Sequence, residues 1–513
     1  MKGLKFFIVL GAIILLVVII NVVQNVSPFN RIGDNYAGKP FRPIAWYKVN
    51  NILDFKSYGL NKPGSKDALI VDFSDNDLRY NDSILKLICL PENYIDDELK
   101  EWKKTHIIYK QKRYKIKYKF HGSHNYNYKQ GKTSLKVKSK KYINEAKQFN
   151  LICGYQEASY INVFLALQEH KQKLIAPDPG TILLANINDK VEDFWFTEDL
   201  SEDYVKYKYG LEDYTIFEVS DNWTRNGGPH FSELDGFYYY LDGNNLEEDS
   251  EKYNKYKNFI KGINENKIGE KFSNTNYKYM GRFLANLYYY YGVHHVQGDN
   301  NKYLYDYKND IVYPIARNEG VYEKIGNVLN LDQEIFDTRE SPTTIFYKKA
   351  VCNDSIKFYR DLELYKMVKE KDRTLQELDS LHSLYNDLHK YYNVGYMNVR
   401  YKYKKIRGVI NHNSEALEKY LNNGEVIIAY DKKNKTIKIA TDYRVPLKVI
   451  NTKDSEFFIF KGVNFEYKEE EIKTSIVEME YSFKDVITKD QIKIVNMVTK
   501  DTLSNTNIIF NYF

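Results

Sequence analysis

The 513-residue sequence contains only three cysteines. Their positions argue against a disulfide-stabilised domain and against a zinc-stabilised domain. Cys89, Cys153 and Cys352 lie far apart, so they form neither a disulfide framework nor a zinc-binding pattern. The sequence also lacks an internal repeat of fixed period, a low-complexity tract, a nucleophile elbow and a His-Glu-x-x-His motif. Repeat architectures and the hydrolases defined by those motifs are therefore not indicated.

A large excess of charge is also missing. The formal net charge is +6 over the whole chain, with 28% charged and 43% hydrophobic residues. This composition predicts a folded protein, and a balance so close to neutral does not argue for a nucleic-acid partner. We therefore expect none.

Only one long apolar run is present, and it lies at the N-terminus. Residues 4–23 are interrupted only by Lys5 and Asn21, and the run is close to the length of a membrane helix. A small-residue cleavage site does not follow it, so we expect a retained single-pass anchor over 1–26. A linker over 27–67 and an extracytoplasmic soluble part would follow.

The remainder predicts alternating strands and helices. From Ala68 onward, two short runs, ALIVDF and ILKLICL, look like strands, and residues 91–104 look like a helix. Further strands are predicted at 113–120, 133–140, TILLANI and DFWF, and further helices at 155–171, 277–292 and 374–392.

The character of the sequence changes after Asn422, where short strands separated by polar turns predict a sandwich-like all-β region over 423–513. A main domain over 68–350 and a helical segment over 351–422 would precede it. Tyr467 and Tyr481 could stack on a glycan or contact a protein partner, or they could be core residues.

Basic residues are concentrated in 103–141, which contains 14 lysines and arginines but no acidic residue. One interpretation is a pair of solvated strand faces. The other rests on Gly122, which follows a strand, and on Lys136 and Lys138, which share one face of the next strand. A glycine turn followed by a strand lysine is one way to hold a nucleotide phosphate.

A second candidate segment, 294–319, follows a predicted helix. Asp299, Asn300 and Asn301 offer the oxygen ligands that magnesium prefers, although Gly-Asp-Asn-Asn is also typical of a turn.

Taken in order, these segments resemble the CotH family of atypical protein kinases over roughly residues 90–325. The resemblance is carried by five segments in order: PENYIDDELKEW, YKIKYKFHGSHNYNYKQGKTSLKVKSKK, QFNLICGYQEASYINVFLALQE, TILLANINDKVEDFWFTED and HHVQGDNNKYLYD. It implies an α+β, divergent protein-kinase-like domain that transfers phosphate from ATP to Ser or Thr of proteins at the cell or spore surface.

The resemblance also implies residue roles on the nucleotide side. Gly122 and Ser123 would lie in the loop over the phosphates. Lys136 would be the nucleotide lysine, with Lys138 the next candidate. Glu198 would orient that lysine or line the nucleotide site.

On the catalytic side, Asp299 would be the catalytic or metal-holding acid, and Asn301 would assist at a Mg²⁺ or Mn²⁺ ion. The sequence departs from the family pattern where an aspartate is usual, because Asn318 and Glu319 stand there. Glu319 could serve as a metal ligand with its longer side chain. Otherwise the domain is an inactive scaffold or binding component of cell-surface or polysaccharide assembly.

Overall fold

The computed structural model describes most of the chain after residue 67. The described ranges are 68–88, 100–122, 133–153, 159–187, 190–198, 200–219, 238–240, 275–292, 302–317, 322–326, 331–334, 342–392, 396–468, 471–504 and 507–512, with a few helical residues between 251 and 258. The chain divides into two compact units. The first contains residues 1–164, 178–199 and 378–405, and the second contains 165–177, 200–377 and 406–513.

The first unit is built on a closed barrel of seven strands in the order β1-β2-β3-β4-β5-β7-β6. The strands are β1 Leu69–Asp72, β2 Lys103–Tyr109, β3 Lys112–Phe120, β4 Leu135–Ile143, β5 Ala146–Cys153, β6 Thr181–Ile187 and β7 Lys190–Glu198. Neighbours pair antiparallel except β1 and β6, whose parallel pairing closes the sheet. Closure removes the exposed edges that an open sheet would present.

Two tight hairpin turns set the register of the barrel. Lys110 and Gln111 join β2 to β3, and Asn144 and Glu145 join β4 to β5, and all four residues have positive φ angles. Positive φ at both central residues matches the right-handed twist of the flanking strands. Alternate side chains consequently point inward and form an apolar core that includes Tyr118, Leu135, Val137, Phe149 and Phe196.

Helix α1, Asp75–Ile88, packs against this core and begins with a reciprocal cap. Ser74 Oγ accepts a hydrogen bond from the Asp77 amide at 3.2 Å, and the Ser74 amide donates to Asp77 Oδ2 at 3.1 Å. The segment ILKLICL was predicted as a strand, but this cap starts a helix that includes its first five residues. Asp77, Asn81 and Ile84 lie on one face of this helix. Ile84 is buried, and the Tyr118 hydroxyl contacts Asp77 and Asn81.

Helices dominate the middle of the chain. They are α2 Ser159–Lys171, α3 Glu202–Tyr209, α4 Tyr277–Tyr290, α5 Leu331–Glu334, α6 Pro342–Cys352, α7 Asp354–Lys369, α8 Lys371–Tyr392 and α9 Tyr396–Asn422. In the second unit α4 and α7 cross at Gly281. A Cβ atom there would lie 2.6 Å from Tyr359 Cβ and 2.8 Å from the Arg360 amide nitrogen, so glycine is what permits the close approach.

The same helices enclose a group of charges that we call the buried ionic cluster: Arg360, Asp332, Asp361, Lys357 and Arg444. The guanidinium of Arg360 contacts Asp332 at 2.6 Å and Asp361 at 2.7 Å. Arg444 contacts the second Asp332 oxygen at 3.2 Å, and Lys357 donates to the Arg444 carbonyl oxygen. Burial alone would raise the pKa of Asp332, but the two arginines outweigh it and hold the pKa below its usual value.

Four sheets complete the second unit. Strands β8 Tyr214–Val219, β9 Tyr238–Tyr240, β10 Lys302–Asp306 and β11 Ile311–Pro314 form one sheet in the order β11-β10-β8-β9. The other strands lie after residue 422, where the sequence predicted a β-rich region. They are β12 Val426–Asp431, β13 Thr436–Thr441, β14 Leu447–Asn451, β15 Phe457–Phe460, β16 Asn464–Lys468, β17 Glu471–Ser475, β18 Val477–Ser482, β19 Ile492–Asn496 and β20 Ile508–Tyr512.

The predicted fold class is wrong. In place of a kinase-like α+β domain behind a transmembrane helix, the chain is mixed α/β with a closed seven-stranded barrel. The barrel closes through a parallel pair far apart in sequence, Leu69 with Ala185, which local periodicity cannot show. None of the helices within the described ranges is long and apolar enough to cross a membrane, and the predicted anchor over 1–26 lies outside them.

Candidate functional site

The turn that follows β3 begins at Gly122, which has a φ angle of +78°. Glycine is the residue that adopts this left-handed conformation without steric cost. The amide of His121 donates to the carbonyl oxygen of Ser134 at 2.9 Å, so β3 and β4 stay paired up to the turn. Ser123 and the rest of the loop, 123–132, lie outside the described residues.

Four polar residues lie side by side across the barrel, and we call them the polar row: Lys119, Lys136, Asn150 and Thr197. The strand register pairs Lys119 with Lys136, Lys136 with Asn150, and Asn150 with Thr197. Directly paired residues share one face of a sheet. Since Leu135, Val137 and Phe149 point into the core, the polar row lies on the outer face, close to the Gly122 turn.

The middle of the polar row is buried. Asn150 is 6% exposed, and among the side chains that the structure describes none donates a hydrogen bond to its Oδ1 atom. A buried amide without a partner costs about 1–3 kcal/mol, so such a group needs an explanation. Thr197, beside it, donates to the carbonyl oxygen of Asp178 at 2.6 Å, which fastens the turn before β6.

Glu198 does not join Lys136 on this face. The register pairs Glu198 with Phe149, which is also opposite Val137, whereas Lys136 is opposite Asn150. Because successive residues of a strand point to opposite faces, the ladder directs Glu198 and Lys136 to opposite faces of the sheet. The predicted lysine–glutamate arrangement is therefore not provided by this register.

Lys138 belongs to the next row outward and has a different neighbour. Its ammonium lies 5.1 Å from the centroid of the Trp102 ring, and that of Lys119 lies 5.5 Å from the same centroid. Two cations on one indole ring interact favourably with its electron-rich face. Trp102 thus links the polar row to the lysines beside it.

The predicted metal ligands Asp299, Asn301 and Glu319, with Asn318, lie outside the described residues. In the ranges that are described, no three His, Cys, Asp or Glu side chains are placed together to hold a metal ion. The polar row itself offers ammonium, amide and hydroxyl groups. The ammonium groups suit the oxygen atoms of a phosphate group, whereas the unpartnered Asn150 Oδ1 atom is an acceptor and the Thr197 hydroxyl already donates to Asp178.

Cys352 is the reactive group that the second unit offers, and its surroundings make it inert. Burial raises the pKa of its thiol to about 12. Since the thiolate is the nucleophilic form, this cysteine has no reactive population at neutral pH.

Asn150 and Thr197 were not among the predicted site residues. Asn150 lies between two apolar residues, in Phe149-Asn150-Leu151, and Thr197 follows the apolar run Phe194-Trp195-Phe196. That signal was visible in the sequence, but only the register shows that the two residues are neighbours of Lys136.

The sequence matches no known protein-family profile, and no curated protein matches it. The resemblance to the CotH family therefore stays a prediction.

Proposed function

We propose that this protein binds a nucleotide, ATP or a close relative, with the phosphates over the polar row beside the Gly122 turn. The observation that carries the proposal is the Asn150 amide, which is buried next to Lys136 and whose Oδ1 accepts no hydrogen bond from the described part of the chain. A bound ligand would supply the missing partner, since an amide can accept from a hydroxyl or, rotated, donate to a phosphate oxygen.

The two lysines of the row support the same ligand. Lys119 and Lys136 are directly paired on neighbouring strands, which places their Cβ atoms roughly 5 Å apart. A phosphate group between two such lysines could contact both ammonium groups. Ammonium groups are suitable phosphate ligands because they act as compact point charges.

A binding role without phosphate transfer is favoured over an active kinase by the position of Glu198. Protein kinases need a lysine–glutamate ion pair at the nucleotide phosphates. Here the ladder directs Glu198 to the face opposite Lys136. A nucleotide can still bind to the face that carries Lys136.

An ATP-dependent kinase acting on Ser or Thr is the second candidate, and the order of elements supports it. The segment that contains Asp299 follows α4, which ends at Tyr290, and precedes the hairpin of β10 and β11, which begins at Lys302. A catalytic acid with a Mg²⁺ or Mn²⁺ ligand at Asn301 or Glu319 would fit between a helix and a hairpin, as the resemblance implies.

The binding proposal is tested by titrating the protein with ATP and comparing Lys136→Ala with Lys110→Ala. Lys110 is an exposed lysine in the β2–β3 turn, away from the polar row. Loss of a charge-assisted phosphate contact costs about 1.5–3 kcal/mol, so Lys136→Ala should weaken binding roughly 10- to 150-fold. Asn150→Asp should weaken it as well, because it sets a negative charge beside the phosphates. Equal dissociation constants for the Lys136 and Lys110 variants would contradict the proposal.

The kinase candidate is tested with labelled ATP and Mg²⁺ or Mn²⁺, by following label on the protein itself and on added protein acceptors. If transfer occurs, Asp299→Asn should reduce it at least about a hundredfold. ATP binding without transfer supports the binding role, and absence of ATP binding refutes both.

A further inference from the structure

A second group of lysines lies on the outer face of the barrel, beyond the polar row. Lys104 pairs with Lys117 and Lys117 pairs with Lys138, which sets three lysines side by side on β2, β3 and β4. Lys115 lies two residues along β3 on the same face. All four are exposed, and we call them the cationic face.

Two carboxylates on the neighbouring strand β1 and just before β2 are engaged with other cations. Asp72 contacts Arg113 at 2.6 Å, and Glu101 contacts Lys103 at 2.6 Å. The sequence from 103 to 141 adds none. Directly opposed like charges destabilise a sheet, so this face carries a repulsion that an anionic ligand would relieve.

The spacing of the lysines restricts the class of ligand. Neighbouring strands are about 4.8 Å apart, and alternate residues along a strand are about 6.8 Å apart. An extended acidic peptide presents one carboxylate to a surface for each two residues. This spacing matches Lys115 and Lys117 along β3, but it is wider than the row Lys104–Lys117–Lys138 across the strands. A chain with a charge in each short repeating unit matches the row more closely.

The aromatic content of the face argues against a nucleic acid. Single-stranded nucleic acids are held by aromatic rings on which bases stack. Two rings lie beside these lysines in the described part of the barrel. The ammonium groups of Lys119 and Lys138 lie over Trp102, and His106, which is paired with Lys115, has its Nδ1 atom 3.4 Å from the Arg113 guanidinium. Among the residues that the structure describes, a base therefore has no uncovered ring to stack on at this position.

We propose that the cationic face binds a linear polyphosphate chain. The ligand would lie across β2, β3 and β4, with its phosphates between opposed lysines. The proposal goes beyond nucleotide binding, because it concerns other residues and a polymer instead of a single phosphate group.

The test is a titration of the full-length protein with linear inorganic polyphosphate at several salt concentrations. The variant is Lys104→Gln/Lys115→Gln/Lys117→Gln, which leaves the polar row intact. The control is Lys432→Gln/Lys433→Gln/Lys484→Gln, which removes the same net charge from exposed lysines of the second unit. Thermal unfolding of both variants checks that they fold.

We expect the barrel variant to bind polyphosphate at least about tenfold more weakly at 0.1 M salt, with the slope of log K against log salt reduced by about 2. The control should bind as the wild type does. Equal weakening in both variants would show a diffuse field and overturn the proposal. So would tighter binding of polyglutamate or of oligo(dT) with the same number of charges. Because ATP binding is measured separately with Lys136→Ala, failure of one proposal does not entail failure of the other.

Discussion

The cationic face of the barrel and the buried ionic cluster of the second unit use the same kinds of side chain in opposite surroundings. In the cluster, Arg360 is fully buried, and carboxylates within 2.7 Å balance its charge. On the cationic face, Lys104, Lys117 and Lys138 are exposed, and their paired neighbours carry the same charge.

The difference shows that the burial of a charged group indicates whether the group serves the fold or is available to a ligand. A charge removed from water must be compensated inside the protein, so a buried group in which opposite charges are paired is explained by folding alone. An exposed group of one sign is tolerated because water screens it, but folding gives no reason for its arrangement. The unbalanced surface is therefore the better place to look for a ligand.

The largest expected effect is on the cluster. Arg360→Met removes a cation and leaves Asp332 and Asp361 buried with weaker compensation, so the free energy of unfolding should fall by about 3–5 kcal/mol. Arg373→Met is the control, since Arg373 is 71% exposed and contacts Glu377 at 3.4 Å. It should change stability by less than about 1 kcal/mol. Urea unfolding measures both, and a similar loss in the two variants would contradict the distinction.

The close helix crossing that holds the cluster in place can be broken separately. Gly281→Ala sets a methyl group against the backbone of α7 and should destabilise the protein by about 1–3 kcal/mol or more. In Gly408→Ala the nearest atom to the new Cβ is Lys324 Cε at 3.9 Å, so this helix glycine should tolerate alanine or gain up to about 1 kcal/mol. Thermal unfolding compares the two, and equal shifts would show that the crossing is not tight.

The cluster also contains Lys357, whose contribution to the free energy of unfolding depends on pH. Burial lowers the pKa of Lys357 from 10.5 to about 8. Between these values the unfolded state holds a proton that the folded state has lost, so the contribution of Lys357 to the free energy of unfolding should rise with pH, by at most about 1.4 kcal/mol per unit. Below pH 8 both states are charged and the rise disappears. The Cys352 thiol, whose pKa burial raises to about 12, contributes in the opposite direction in wild type and variant alike.

Lys357→Met should abolish this rise, and urea unfolding from pH 7.5 to 9.5 measures it. The range stops there because burial raises the pKa of Tyr288 and Tyr420 above 10, which takes stability away at higher pH. Parallel pH dependences for wild type and variant would assign the effect to other groups.

The smallest expected effect is on the cationic face, and it has the opposite sign. Lys117→Gln removes a repulsion with Lys104 and Lys138, so the free energy of unfolding should increase by about 0.2–1 kcal/mol at low salt. Lys112→Gln, which pairs with Tyr109, should have little effect. A gain that persists unchanged at 1 M salt would not be electrostatic.

Several elements follow directly from the sequence. The run TILLANI is β6, the strands predicted at 113–120 and 133–140 lie within β3 and close to β4, and the helix predicted at 277–292 is α4 with two residues fewer. These elements have a strong local period, which is what the sequence displays. The shared face of Lys136 and Lys138 was predicted correctly for the same reason.

Other features could not be found in this way. Strand β2 begins at Lys103, inside the predicted helix over 91–104, because pairing with β3 overrides the local pattern of charges. The face on which Glu198 lies depends on the register of three strands, β4, β5 and β7. The same register places Asn150 and Thr197 beside Lys136. Which residues form the site therefore depends on strand pairing and cannot be predicted from the local sequence.

The parallel pair that closes the barrel has a consequence during protein synthesis. Leu69 on β1 cannot pair with Ala185 on β6 until Ala185 has been synthesised. Translation of the intervening residues takes on the order of 6–20 s. Until β6 emerges, β1 and β5 are unpaired edges of an open sheet, which can pair with other chains. A ribosome that stalls before Thr181 would therefore hold an aggregation-prone intermediate, and slow translation of this stretch would make the nascent chain depend on chaperones.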